Sequence, residues 1–388
     1  MCASGQLGGT ELRMLEEARF LRTLGYDAIV AVKGLEQETH GRAYRDLLRD
    51  SDIPIIALNP PAIMTDWRKR HVHWLRAEAL TRWQLRRLQL DLVHVFFPWT
   101  NQGLDHLWLA GRCHVPSIIS VHNAFPRADF SSWHRHHLGI AFRSLRGVYG
   151  VSKTALEHFD ENFREYYPGT IKQDVIFNFV DLQRFQPSSE KRLETRMRLG
   201  IPPEVPLIGS VGRLDKQKQP LSLVEVFSRV KAILPDARLL LIGEGSMQKV
   251  VENRIEELNL ADSVTILPFQ SNIECIFPAL DVHLLTSRNE GFGIVTAEAM
   301  ACGIPVVGTR VTGTEEVIGD CEAGRLVPLG DSGVITNAVL EFLFADMQEK
   351  QRLSQLARAH VQAHFSKGTW ECKVEAFYLE ALSCSTLS

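Results

Sequence analysis

The chain has 388 residues, 45 % of them apolar, which is enough for packed cores and for about two domains. Its formal net charge of -3 gives no electrostatic case for a nucleic-acid partner, and no apolar run reaches the roughly 18 residues of a membrane-spanning helix. Seven scattered cysteines (Cys2, Cys113, Cys275, Cys302, Cys321, Cys372, Cys384) form no C-x-x-C pair, a usage that suits a reducing compartment and argues against structural zinc.

The opening MCASGQLGGTELRMLEEARFLRTLGY lacks the basic start and apolar stretch of a signal peptide. A Gly-containing loop leads at once into a predicted helix with Leu12, Leu15, Ala18, Leu21 and Leu24 on one face and Gly25 as its stop. In an α/β chain a strand precedes such a loop. Here it is cut to Cys2 and Ala3, and the expectation is that the natural chain starts several residues upstream.

Strand-like runs then alternate with helical ones: DAIVAV at 27, IPIIAL at 53, DLVHVFF at 91, SIISVHN at 117, GVYGVS at 147 and DVIFNFV at 174. Residues 187–206 are polar and proline-rich and read as a linker region with one short helix. The alternation restarts with PLIGSVG at 206, ARLLLIGEG at 237, VTILP at 264, DVHLLTS at 281, PVVGTR at 305 and RLVP at 325. Continuous apolar strands separated by helices mean parallel sheets covered on both faces. The predicted class is therefore α/β, with two doubly wound, Rossmann-like domains facing each other across a ligand-binding cleft. The expected bounds are 1–185, 186–368, and a C-terminal helix at 369–388 that packs back on the first domain. Residues 1–185 hold 23 Lys+Arg against 20 Asp+Glu, a net of +3, and the remainder holds 20 against 26, a net of -6. Eleven of the fourteen histidines lie in the first half, so the halves face different partners.

Two strand ends carry chemistry. In SVGRLDKQKQP, Arg213, Lys216 and Lys218 follow a strand and precede a helix near Pro220. Ligands bind at such carboxyl ends, and cations there suit a diphosphate, although a solvated basic turn reads the same way. In TSRNEGFGIVTAEAMACG, Gly291 and Gly293 let the backbone approach a ligand, and the helix Ile294–Ala301 aims its first amides at an anion. Glu290 and Glu298 suit sugar hydroxyls. The alternatives are a solvated loop acid and a complement to the helix dipole.

Glu290-Gly-Phe-Gly-x4-Glu298-Ala-x-Ala-x-Gly-x-Pro resembles the Glu-x7-Glu signature of retaining glycosyltransferases, most closely glycosyltransferase family 4 with its GT-B fold. SVGRLDKQK resembles that family's phosphate clamp. Phe177-Asn178-Phe179-Val180-Asp181, with Phe185 and Pro187, resembles its N-G-V-D segment, and Gly8-Gly9-Thr10-Glu11 its G-G-x-E loop. LIGEG at 241 and GRLVP at 324 fit as well. The resemblance covers nearly the whole chain and implies a transfer of sugar from a nucleotide-diphosphate sugar to an acceptor hydroxyl with retention of configuration. It also implies a role in bacterial polysaccharide, lipopolysaccharide or glycolipid assembly, in the cytoplasm or at the inner face of the cytoplasmic membrane. Arg213 and Lys218 would bind the diphosphate, Glu298 the ribose, and Glu290 the transferred sugar, together with Gly291, the amides near Phe292 and Gly293, and the helix start at Ile294 and Val295. Gly8 and Gly9 would let the opposing loop approach the phosphates, and His122 would sit beside the sugar and the reaction centre. The plain reading of His122 is a capping or core-edge histidine. Ser152 is a weaker candidate for the acceptor or sugar pocket. The chain departs from the pattern at Gln219, where the family has Gly, and at Phe179, again for Gly. No metal-binding acid pair such as D-x-D appears with supporting context, so neither a metal nor another cofactor is expected.

WRKRHVHWLRAEALTRWQLRRLQ, residues 67–89, holds seven Lys or Arg and three Trp. It reads either as a helix lying on an anionic membrane near a glycan or lipid-linked acceptor, or as a surface helix with Trp74 and Trp83 in the core. The run Trp133-His134-Arg135-His136-His137 suggests metal, but adjacent helical histidines diverge and favour an acceptor-side polar face. A nucleotide-sugar epimerase and an inactive transferase-like scaffold are the alternative functions. No G-x-G-x-x-G follows a strand as an NAD enzyme requires.

Overall fold

The computed structural model describes residues 9–33, 48–49, 51–63, 72–99, 102–123, 130–167 and 169–383. The stub Cys2–Ala3, with Gly8, lies outside the described residues. The chain forms two compact units, residues 1–177 with 371–388, and residues 178–370.

In the first unit every described strand pairing is parallel. β1 (Val30–Val32) pairs with β2 (Ile55–Ala57), while β3 (Val93–Phe97), β4 (Ser117–Val121), β5 (Leu145–Gly150) and β6 (Lys172–Val175) lie in chain order in one sheet. β4 is buried along its whole length, as a strand sandwiched between helices must be. Helices Leu104–Cys113, Ser132–Phe142 and Lys153–Phe163 close an aromatic core around Phe97, Trp108, Phe142, Phe159 and Phe163. A cavity of about 610 Å³ is lined by residues of both β1 and β3, among them Val30, Ala31, Val93 and His94.

The first helix, Gly9–Thr23, is rotated from the expected face. Leu12 is 46 % exposed and Leu24 is exposed, while Met14, Leu15, Ala18 and Leu21 are buried together with Glu17. Glu17 is drawn inward because two buried tyrosine hydroxyls donate to it, so the helix face follows a polar network as well as the leucines. On helix Val72–Arg87, Trp74 packs against Trp108 with ring centroids 5.5 Å apart. Trp83 does not join the core: it is 54 % exposed and carries the Arg87 guanidinium 4.7 Å over its ring. On helix Ser132–Phe142 the histidines diverge. His137 turns inward to stack on Trp108, and His136 stays exposed.

The second unit is one parallel sheet in the order β12-β11-β10-β7-β8-β9: β7 (Leu207–Val211), β8 (Arg238–Ile242), β9 (Val264–Leu267), β10 (Val282–Leu285), β11 (Val306–Thr309) and β12 (Gly324–Val327). The chain winds outward from β7 through β8 and β9, then crosses to β10 on the other side of β7 and winds outward again. β7 and β10 are therefore the strands of the topological switch point, where the carboxyl ends part to leave a crevice.

The stretch expected to be a linker is an integral part of this unit. Its helix Ser189–Arg198 buries Arg196, which donates to the carbonyls of Ala279, Pro202, Pro203 and Val205 and pairs with Asp281 at 2.7 Å. Asp281 also binds Arg192 at 2.7 Å and accepts from the Leu207 backbone amide at 2.7 Å, which fixes the start of β7. Among the described residues no helix is long and apolar enough to cross a membrane.

Candidate functional site

The two candidate motifs of the second unit leave the sheet at the carboxyl ends of β7 and β10. After β7, the Asp215 carboxylate accepts from the backbone amides of Gln217 (3.0 Å) and Lys218 (3.1 Å), a local turn of the Asx type. This turn directs the Lys218 side chain toward the β10 loop, and the helix Pro220–Ile233 follows it. Arg213 stays at the rim, 64 % exposed, 3.3 Å from Asp215.

The β10 loop is braced against this turn. The Arg288 amide donates to the Gln217 carbonyl at 2.8 Å, Gln217 Nε2 to the Asn289 carbonyl at 2.9 Å, and Thr286 Oγ1 to the Lys218 carbonyl at 3.1 Å. From β11, Thr309 Oγ1 donates to the Ser287 carbonyl at 2.6 Å, and the Gly313 amide to the Glu290 carbonyl at 3.1 Å. Gly313 lies against the loop backbone: a Cβ there would stand 2.7 Å from both Cα and N of Phe292. Gly293 has φ +76° and turns the chain into the helix Ile294–Ala301, a conformation that a side chain would strain.

At the centre Lys218 Nζ pairs with Glu290 Oε1, and Ser287 Oγ donates to the same oxygen at 2.6 Å. Both charged side chains are largely buried, so each is the other's principal counter-charge among the described groups. Glu298, part-buried on the helix, lies within electrostatic reach of Arg184, whose guanidinium is held charged chiefly by Glu274 at 2.8 Å. Phe292 turns its ring into the core, with Phe365 at 5.3 Å, so what it presents to a ligand is backbone. Gly291, Ile294 and Val295 are part-buried around the helix start. Arg213, Lys218, Glu290, Gly291, Phe292, Gly293, Ile294, Val295 and Glu298 thus all belong to two neighbouring loops and the helix they feed.

The remaining site residues belong to the first unit. His122 follows β4, with its amide donating to the Phe97 carbonyl at 2.9 Å and its Nε2 3.2 Å from Ser120 Oγ. Burial pushes its imidazole down to about 3, so the ring is neutral near pH 7. Gly9 begins the first helix, with open space where a side chain would stand. Ser152 is fully buried and its hydroxyl accepts from the Ala155 amide at 3.1 Å, so it caps the helix Lys153–Phe163 and does not line a pocket. Sequence reasoning missed Ser287, Gln217, Thr309 and Gly313. A Gly three residues past the β11 run, in VTGTEE, is the one signal that pointed to the last of these.

Chemically, the second unit's half-site offers two cations and helix amides for a diphosphate, and two carboxylates for hydroxyl groups. The family model for glycosyl transferases group 1 matches residues 191–360, and that for glycosyltransferase family 4 matches residues 7–184. The chain is 28 % identical over 208 residues to N-acetyl-alpha-D-glucosaminyl L-malate synthase of Bacillus anthracis, covering 54 % of either chain. It is 34 % identical over 216 residues to D-inositol 3-phosphate glycosyltransferase of Mycolicibacterium gilvum, 54 % of this chain and 46 % of that one. The chain thus spans about half the length of the curated relatives it matches. Its fold is similar to that of Anabaena HepE, solved with UDP and glucose, with a TM-score of 0.76, 22 % identity, and coverage of 99 % of this chain and 100 % of that one. The architecture is GT-B, two Rossmann-like domains of parallel sheets. The chain belongs to glycosyltransferase family 4.

Proposed function

We propose that the protein transfers a sugar from a nucleotide-diphosphate sugar to an acceptor hydroxyl, with retention of configuration, in the assembly of a bacterial polysaccharide, lipopolysaccharide or glycolipid. The observation that carries this reading is the Lys218–Glu290 pair at the switch point, beside Arg213 and the N-terminus of helix Ile294–Ala301. Lys218 and Arg213 take the diphosphate, Glu290 and the loop amides take the sugar, and Glu298 takes the ribose hydroxyls. The bond from the anomeric carbon to the diphosphate oxygen breaks while the acceptor oxygen bonds to the same face, and the acceptor proton leaves on the departing diphosphate. His122 serves beside the sugar, and Gly9 gives the opposing loop close approach to the phosphates. Side chains and helix amides neutralise the diphosphate, so the reading calls for no metal or other cofactor.

The test is a thermal-shift panel of UDP, GDP, ADP and TDP with their sugar conjugates, with UDP first because HepE was solved with it. Ligand at about 100 times its dissociation constant adds roughly 2.7 kcal/mol of stability. One nucleotide series should raise the melting temperature, and Lys218→Ala and Glu298→Ala should reduce the rise. No shift with any of them would remove the donor site.

The helix Val72–Arg87 favours a membrane-peripheral setting at the cytoplasmic face. Leu75, Leu80 and Trp83 are exposed large apolar side chains on it, flanked by exposed Arg76, Arg86 and Arg87. An apolar strip fringed by arginines suits an anionic lipid surface on which a lipid-linked acceptor is presented. Sedimentation with phosphatidylglycerol vesicles should carry the protein down, and Trp83→Ser with Arg86→Glu should leave it in the supernatant. Equal recovery with and without vesicles would remove this setting.

A further inference from the structure

Gln219 stands in a backbone conformation that is costly for it. Its φ of +50° and ψ of +54° are left-handed, a region that glycine enters freely and that crowds the Cβ of any other residue against the following carbonyl oxygen. Four non-glycine residues take positive φ among the described residues: Gln89, His114, Gln219 and Asn259. Gln89, His114 and Asn259 each follow the last turn of a helix, where a left-handed residue closes off the end. Gln219 alone precedes a helix, Pro220–Ile233, and it directly follows Lys218. Helix termination therefore does not account for its conformation.

The side chain does. Only one orientation of the Gln219 amide satisfies both of its ends: Nε2 donates to the Thr286 carbonyl at 3.1 Å, and Oε1 accepts from Arg288 Nε at 2.5 Å and Nη2 at 3.2 Å. Thr286 answers with its own hydroxyl, which lies 3.1 Å from the Lys218 carbonyl and 3.2 Å from the Gln219 carbonyl. The side chain of each residue thus bonds the backbone of the other. Thr286 comes directly after β10, and Arg288, exposed at its surface, stands two residues before Glu290. The Lys218 turn does not depend on this tie, because Asp215 already holds the amides of Gln217 and Lys218. The β10 loop does depend on it, since the Thr286 carbonyl and the Arg288 guanidinium both end on Gln219.

We propose that Gln219 is a positioning residue of the donor site: it ties the β10 loop to the Lys218 turn, so that Lys218 and Glu290 reach one nucleotide sugar together. The amide is neutral, so the tie brings no carboxylate beside the lysine that takes the diphosphate. The ligand named here rests on the transferase reading; the tie itself does not.

Two variants separate the side chain from the backbone. Gln219→Asn keeps a residue that tolerates the left-handed region, but its amide is one methylene short of both partners. Gln219→Gly removes the strain and the amide together. The tie is read without ligand from the exchange of the Arg288 Nε–H with water, by ¹H–¹⁵N NMR at pH 6, with Arg288→Lys assigning the signal. Both variants should speed that exchange about tenfold, the worth of one hydrogen bond to a charged donor. Equal exchange in the wild type and both variants would overturn the tie. The positioning role is read by titration calorimetry with UDP, GDP, ADP or TDP, whichever raises the melting temperature, and with its sugar conjugate. The free diphosphate engages the Lys218 turn alone and should bind both variants as it binds the wild type. The nucleotide sugar engages both loops and should bind them about five- to tenfold more weakly. If both ligands weaken alike, or neither does, Gln219 does not position the loop for the sugar. A wild type that shows slow exchange and binds no nucleotide would remove the transferase reading, and the ligand named here with it, and would leave the tie standing.

Discussion

Lys218 and Glu290 hold each other, and this makes a sharp test of their separate roles. A free nucleoside diphosphate draws Lys218 away and gives Glu290 nothing in return, leaving a carboxylate 7 % exposed with the Ser287 hydroxyl as its principal partner. A nucleotide sugar draws Lys218 away and supplies hydroxyls to Glu290. Glu290→Gln should therefore move the two affinities in opposite directions. The nucleotide sugar loses charge-assisted hydrogen bonds, each of about 1.5–3 kcal/mol, and should bind roughly 10- to 100-fold more weakly. The free diphosphate no longer competes with a carboxylate for Lys218. Removing a part-buried competitor of about 1–2 kcal/mol should tighten its binding roughly 5- to 30-fold. Titration calorimetry at one ionic strength, with the diphosphate and its sugar conjugate against both proteins, gives all four constants. If both affinities fall together, Glu290 supports the diphosphate site as a whole and the division of roles is wrong. If neither moves, the pair is structural.

Asp281→Ala should be the most destabilising change in the second unit. It leaves Arg196, 1 % exposed, without its carboxylate, at a cost of about 3–5 kcal/mol in urea unfolding. Gly313→Ala places a methyl 2.7 Å from the Phe292 backbone and should weaken donor binding about tenfold or more while circular dichroism stays native. Buried His283 is pushed down by desolvation to about 4, so between pH 6.5 and 4 the unfolded state binds a proton that the folded state refuses. Its contribution is whole above pH 6.5 and is lost as pH falls to about 4, a span worth roughly 3 kcal/mol. His283→Asn should flatten that acid limb when urea midpoints are compared at pH 7 and pH 5.

Of the twelve strands among the described residues, eleven were legible because each lies on an expected run rich in apolar residues, as a doubly covered parallel sheet requires; β6, Lys172–Val175, is polar at three of its four positions and meets its expected run only at Asp174 and Val175. The donor half-site was legible for a related reason: Arg213, Lys218, Glu290 and Glu298 stand on turns that directly follow two of those runs. What escaped detection is set by pairing across the sheet. That β10 lies beside β7, and not beside β9, is a matter of strand order, and no local pattern carries it. Without that order Gln217, Ser287, Thr309 and Gly313 are ordinary loop residues; with it they become the braces between two loops. The same holds for Glu17. The leucine periodicity gives no sign of it, because leucine spacing is blind to two tyrosine hydroxyls about 130 and 360 residues away in the chain. A polar group goes inside when its partners already wait there, and those partners come from other elements. The helix therefore turned to satisfy Glu17 and left Leu12 in water, since an exposed leucine forgoes about 1.5–3 kcal/mol of burial while an unpaired buried tyrosine hydroxyl or an unmet carboxylate costs as much or more.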